Sequence, residues 1–205
     1  MANAMNVHKK RLYLLCASVL PLMVCTGIVY TILSIYLVEG LNFSKSSIGF
    51  LFALGSATGA SLSPLIGKAS DRFGRKPVLI LSSAAFLIVF VSYALMSQLW
   101  QFIIIMIIEG VAWVSMGTGA MAYIADISPM TERGQSLGVY EGTWNVGWVL
   151  GPLIGGLCAD SLGFQKTFVA GACIIVVSLT MLTLTIQETA GRKKCLSEPL
   201  TPIGH

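Results

Sequence analysis

Two acids, Glu109 and Glu141, lie well inside long apolar stretches of this 205-residue chain. A carboxylate there is costly unless it faces a cavity, finds a partner or takes up a proton. Glu109 follows Trp100 by about nine residues, which on a helix is about 14 Å of depth. That is close to the midplane of a roughly 30 Å hydrocarbon core. Two readings of Glu109 stand. It faces a central cavity and binds a proton or a cationic substrate, or it is a neutral Glu bonded to a neighbouring helix. Glu141 lies about one turn inside its stretch, where it can reach water or pair with Arg133. Trp113, Trp144, Trp148 and Tyr140 either line a pocket or simply pack. Asn145, between two of those Trp residues, is a polar candidate for substrate contact. An aromatic-walled pocket would suit a cation.

Other chemistries find no support. His8 and His205 both lie outside the apolar stretches, and no Ser/His pair or pair of Asp residues falls within them. No Walker-type loop is present. Cys16, Cys25, Cys158, Cys173 and Cys195 lack metal-ligand spacing and read as small apolar fillers. The expectation is a protein that is not an enzyme, holds no metal or cofactor, and binds no nucleic acid.

The elements that position these residues follow from composition. The chain is 55% hydrophobic and 11% charged, with a mean hydropathy of +0.80. Soluble domains carry roughly 25% charged residues. That difference points to a polytopic membrane protein. Six apolar runs are each long enough to cross a bilayer, at about 12–38, 48–66, 77–96, 99–125, 136–159 and 167–187. The reading is an all-α protein of six transmembrane helices. Residues 1–11 form a cytoplasmic N-terminus, 12–188 the six-helix bundle and 189–205 a cytoplasmic tail. The first run is too long for a signal-peptide core and lacks a small-x-small cleavage site, so it reads as a retained helix. With the N-terminus cytoplasmic, eleven of the thirteen Lys and Arg fall on that side, and only Lys45 and Lys166 on the other. This asymmetry places both termini in the cytoplasm. Trp100, Phe102 and Phe164 suit an interfacial belt at the outer ends.

Small residues mark the packing faces. Gly55, Gly59 and Ser63 share one face of the second helix, and Gly147, Gly151 and Gly155 one face of the fifth. Such spacing lets helix backbones approach closely. Pro152 removes a backbone donor from the fifth helix, so a kink or local unwinding is expected there. The loop after the second helix runs from Gly67 through Lys68, Asp71, Arg72, Gly74, Arg75 and Lys76 to Pro77. Gly67 allows close packing, Gly74 a turn that can need positive φ, and Pro77 suits the first position of the third helix. Asp71 among four cations can hold Arg72 or Arg75 in an ion pair.

Here the residues resemble a known family. Gly67-x-x-x-Asp71-Arg72-x-Gly74-Arg75-Lys76 resembles the signature loop of the major facilitator superfamily. Tyr123 to Pro129, with Asp126, followed by Glu132-Arg133-Gly134, resembles that family's link between its fourth and fifth helices. Gly142, Gly147, Gly151, Pro152, Gly155 and Gly156 are similar to the fifth-helix motif of the drug/proton antiporter branch.

The resemblance implies one half of a secondary transporter that works by alternating access, with its substrate site between two six-helix halves. It implies a multi-pass protein of the plasma (inner) membrane, exporting a small organic solute in exchange for protons and powered by an ion gradient rather than a cofactor. Its partners would be the bilayer, a small-molecule substrate and a second half, either a second copy or a separate chain. The alternative is a non-transporting interaction partner or a truncated product of a full-length permease. The resemblance also implies that Asp71, Arg75 and Asp126 form a charge network, and that Gly67, Asp71, Arg72, Gly74, Arg75, Asp126 and Arg133 latch one conformational state. The motif Gly147, Gly151, Pro152, Gly155 and Gly156 would pack on the other half. The glycine faces of the second and fifth helices are accordingly expected to point out of this bundle. The family's helix-four Arg falls at Met106 here, which leaves the coupling ion open.

Overall fold

The computed structural model describes residues 2–189, with side chains from Val7 onward. Beyond Thr189 the tail lies outside the described residues, and with it Cys195 and the cations Arg192, Lys193 and Lys194. Six long helices account for nearly all the rest: α1 Ala2–Ile35, α2 Lys45–Phe73, α3 Arg75–Leu95, α4 Leu99–Ile127, α5 Arg133–Leu162 and α6 Phe164–Thr185. A π-helical turn, Tyr36–Gly40, extends α1. Among the described residues no strand is present. Helices satisfy most backbone groups within themselves, which suits a bilayer that offers no hydrogen bonds. Counting the π-turn with α1, five of the helices are long and apolar enough to cross a membrane. The exception is α5, which carries Glu141, Asn145, Asp160 and a series of glycines.

Local sequence sets the helix ends. The Ser44 side chain accepts a hydrogen bond from the Ser47 amide at 3.1 Å and starts α2. Gln98 and Gln101 form a reciprocal capping box that starts α4. Gly74 and Gly163 take φ of +102° and +81° and let the chain reverse between α2 and α3 and between α5 and α6. Pro77 is the third residue of α3 rather than the first, because the helix already begins at Arg75. It is tolerated there because the first four helical N–H groups have no intrahelical acceptor. α5 runs unbroken through Pro152.

Packing follows a simple scheme. α1 lies against α5 and α6, while α4 lies against α2 and α3, and the two groups join through α3 and α6. Serine hydroxyls bond across the joints: Ser82 donates to the Ala112 carbonyl at 2.7 Å, and Ser178 to the Ser18 carbonyl at 2.5 Å.

The glycine faces do not point where the sequence suggested. Gly147, Gly151 and Gly155 are buried against α1. A Cβ on Gly151 would sit 2.6 Å from the Gly27 Cα, and one on Gly155 3.1 Å from the Ile28 Cα. Gly55 and Gly59 pack on Met106 and Gly110 of α4 in the same way. The stripes therefore hold this bundle together from within. The physical reason is that α1 supplies a matching small residue, Gly27, and α4 supplies Gly110. Two facing glycines let two backbones touch without any outside partner. Gly156 meets nothing within 4 Å. The outward face of α5 is instead apolar and bulky, with Val149, Leu153 and Leu157 all exposed.

Candidate functional site

α4 carries Glu109 one residue before Gly110, the glycine on which α2 crosses. That close crossing brings α2 beside the acid. Glu109 is 3% exposed and accepts a hydrogen bond from the Tyr93 hydroxyl of α3 at 2.5 Å. It also borders a cavity of about 320 Å³ between α1, α2 and α4. Tyr30, Phe52, Ser56, Met106 and Trp113 are among the residues around it. The two readings of Glu109 thus meet in one arrangement, with a carboxyl bonded to a neighbouring helix and also lining a cavity. Met106 is buried at 1% exposure and puts an uncharged thioether beside this cavity. Tyr93 and Tyr30 gave no signal in the sequence, because an apolar run with a Tyr in it reads only as packing.

Aromatic rings wall this region. The Tyr30 ring centroid lies 5.3 Å from Trp148, 5.7 Å from Phe52 and 5.9 Å from Trp113. Trp113 lies 5.3 Å from Trp144 and 5.2 Å from Phe86. Five helices contribute to one cluster, and Trp113 and Tyr30 line the same cavity as the acid. Tyr140 sits at its edge, 6.2 Å from Trp144 and buried. Glu141 and Asn145 stand apart. Both are on the exposed side of α5, where the Asn145 side-chain amide donates to the Glu141 carbonyl at 2.9 Å. Arg133 does not pair with Glu141. Its guanidinium donates to the Ala125 carbonyl at the end of α4, at 2.8 Å.

A second polar cluster lies at the end of the bundle where α2 turns into α3. Arg75, only 7% exposed, binds Asp71 at 2.6 Å and Asp126 at 3.1 Å, and donates to the Ser70 hydroxyl at 3.0 Å. A guanidinium removed from water needs this many partners. The backbone N–H of Arg75 donates to the Glu188 carboxylate at 2.8 Å, and Thr189 donates to Asp126 at 3.3 Å. The chain after α6 is thereby tied to the turn. Of the two sequence alternatives, Asp71 takes Arg75 and leaves Arg72 exposed with its guanidinium over the Phe73 ring. Gly67 makes only an ordinary contact with Thr118. Ser70, Glu188 and Thr189 join the network unforeseen, since short loops do not show which later segment returns to them. Phe102, expected in an interfacial belt, is instead fully buried and stacks on Tyr93 at 6.0 Å, while Trp100 is exposed.

The sequence profile of the Major Facilitator Superfamily matches residues 15–201. The chain belongs to that family. It is a multi-pass membrane protein and not an enzyme. The chain is 34% identical over 150 residues to the multidrug resistance protein MdtG of Rahnella sp. (strain Y9602), covering 73% of this chain and 35% of that one. It is 28% identical over 152 residues to the tetracycline resistance protein, class H, of Pasteurella multocida, covering 74% and 38%. The crystal structure of the human organic anion transporter MFSD10 (TETRAN) superposes with a TM-score of 0.74 at 19% identity. That superposition covers 89% of this chain and 48% of the transporter. The chain thus spans about a third to a half of the length of these relatives.

Proposed function

We propose that this six-helix unit works with a second one as a secondary active transporter, exporting a small organic solute by alternating access in exchange for protons. The observation that carries the proposal is the buried Glu109 carboxyl on an aromatic-walled cavity of about 320 Å³. A carboxylate framed by Trp and Tyr rings attracts a cationic, partly apolar solute. The same group can hold either a proton or the solute, which is the requirement for exchange. Glu109 supplies the charge that Met106 does not. The names of the curated relatives, which concern tetracycline and multidrug resistance, are consistent with such a solute.

The Asp71–Arg75–Asp126 network is the latch in this reading, with Arg133 fixing the end of α4. Lys and Arg asymmetry orients that end, and both termini, toward the cytoplasm of a plasma (inner) membrane. Energy comes from the proton gradient, without a cofactor. The second six-helix unit meets the outward face of α5, either as a second copy or as another segment or chain. Single cysteines at the exposed positions Val149 or Leu153 test self-association by cross-linking.

The test of function is efflux of a fluorescent cation from proteoliposomes under an imposed pH gradient, with the second unit supplied where cross-linking shows it to be separate. Glu109→Gln should lower efflux and flatten its pH dependence. Unchanged efflux with an unchanged pH profile refutes the role given to Glu109.

A further inference from the structure

α2 and α3 are joined by a tight turn yet scarcely touch along their length, because each packs on α4. Between them they leave a cleft of about 400 Å³. Its walls include Ile66, Phe73, Pro77 and Leu81, and its floor is Val111 and Ala112 of α4. The cleft shares no lining residue with the aromatic cavity, so the two are separate. Its walls are apolar, with Phe73 67% and Leu81 68% exposed.

One end of this cleft carries a cation that pairs with no acid among the described residues. Among the charges of the α2–α3 turn, Arg75 is held by Asp71 and Asp126, and Lys76 donates to the Thr183 carbonyl at 2.8 Å. Arg72 is exposed and forms no ion pair among the described residues, and its guanidinium lies 5.5 Å from the centroid of the Phe73 ring that ends the wall. An apolar cleft with an exposed guanidinium at its end has the chemistry of a receptor for an anionic amphiphile. Basic pockets between membrane helices bind anionic lipid headgroups, and Arg recognises phosphate well.

We propose that the α2–α3 cleft is a binding site for an anionic glycerophospholipid. Its phosphate pairs with Arg72, and one acyl chain lies along Phe73, Pro77 and Leu81. A juxtamembrane cation contributes about 1 kcal/mol toward an anionic lipid, which corresponds to about a fivefold preference.

The experiment uses the full chain in nanodiscs of phosphatidylcholine with a minority of phosphatidylglycerol, followed by gentle delipidation and native mass spectrometry. The expected result is retention of one phosphatidylglycerol, about fivefold over its share in the bilayer. Arg72→Gln should bring that ratio to the bilayer composition. Leu81→Trp, at a position 68% exposed, should fill the cleft and abolish retention of either lipid. Equal retention of the two lipids overturns the proposal, as does a preference that survives Arg72→Gln. Lipid retained despite Leu81→Trp removes the cleft from it.

Discussion

A single methyl group on the inner face of α5 should separate α1 from α5, while the same methyl a turn further along on its outer face should not. In Gly151→Ala the new Cβ would lie 2.6 Å from the Gly27 Cα, 2.7 Å from the Gly27 carbonyl carbon and 2.8 Å from the Ile28 amide nitrogen. All three are backbone atoms, so no rotamer change relieves the overlap. Ordinary contact begins at 3.4 Å, so the helices must part locally by about 0.8 Å, and a gap of that size forfeits a quarter to a half of the dispersion energy of the contacts around it. Overpacking of this kind costs about 1–3 kcal/mol, and rigid backbone on the far side puts this site near the top of that range. Replacing Gly by Ala in a helix returns about 1 kcal/mol, which leaves a net loss of about 2 kcal/mol. Gly156→Ala meets nothing within 4 Å and keeps the helix gain alone. The two variants should therefore differ by about 3 kcal/mol. Reversible unfolding of the chain in mixed micelles, titrated with a denaturing detergent, measures that difference. Equal stabilities within about 0.5 kcal/mol would refute the placement of this α5 face against α1.

Three further outcomes follow from the polar clusters and the turns. In double-mutant cycles on the Arg75 network, coupling to Asp126 should be about 1.5–3 kcal/mol, while coupling to Asp71, whose side chain is 69% exposed, should stay below about 1 kcal/mol; the reverse order would contradict the geometry. Gly74→Ala and Gly163→Ala share the strain of positive φ, about 1–3 kcal/mol, but only Gly74 would meet the Glu188 carboxylate. The loss of that cap on α3 should add about 1 kcal/mol in the same unfolding assay. Glu109→Gln should leave stability nearly unchanged, because the amide oxygen can still accept from Tyr93, whereas Glu109→Ala should cost about 1–3 kcal/mol by orphaning the buried hydroxyl.

Much of the fold was legible because the bilayer imposes a strong constraint. Apolar runs of about 20 residues have one structural solution, so the six helices followed from hydropathy and their order from the chain. An ion pair at Asp71 could be read from the loop, with Arg72 and Arg75 both open as its partner, and the family resemblance pointed to Arg75. Asp126 entered through the family resemblance alone. What sequence could not supply was rotation about the helix axis. Gly147, Gly151 and Gly155 announce that something approaches closely but not what, and the matching Gly27 has no stripe of its own to draw attention to it. Phe102 was misplaced for the same reason, since an aromatic near a helix end can face either lipid or the neighbouring helix. Tyr93 was silent because its hydroxyl has meaning only once α3 lies beside Glu109.

The α3–α4 pair connects the two polar sites. Arg75 binds Asp126 at one end of the pair, Ser82 donates to the Ala112 carbonyl partway along, and Tyr93 donates to Glu109 nearer the other end. Three bonds along two antiparallel helices resist sliding far better than apolar contact alone, because each would be left unsatisfied in a medium without water. A change at Glu109 that released Tyr93 would remove one of the three and leave the other two to set the register. The charge network and the aromatic cavity are therefore joined through one stiff pair, and α2 meets that pair chiefly through α4. Glycine contacts at Gly55, Gly59 and Gly110 suit that arrangement, since they bring α2 close to α4 through smooth backbone and without a hydrogen bond to break.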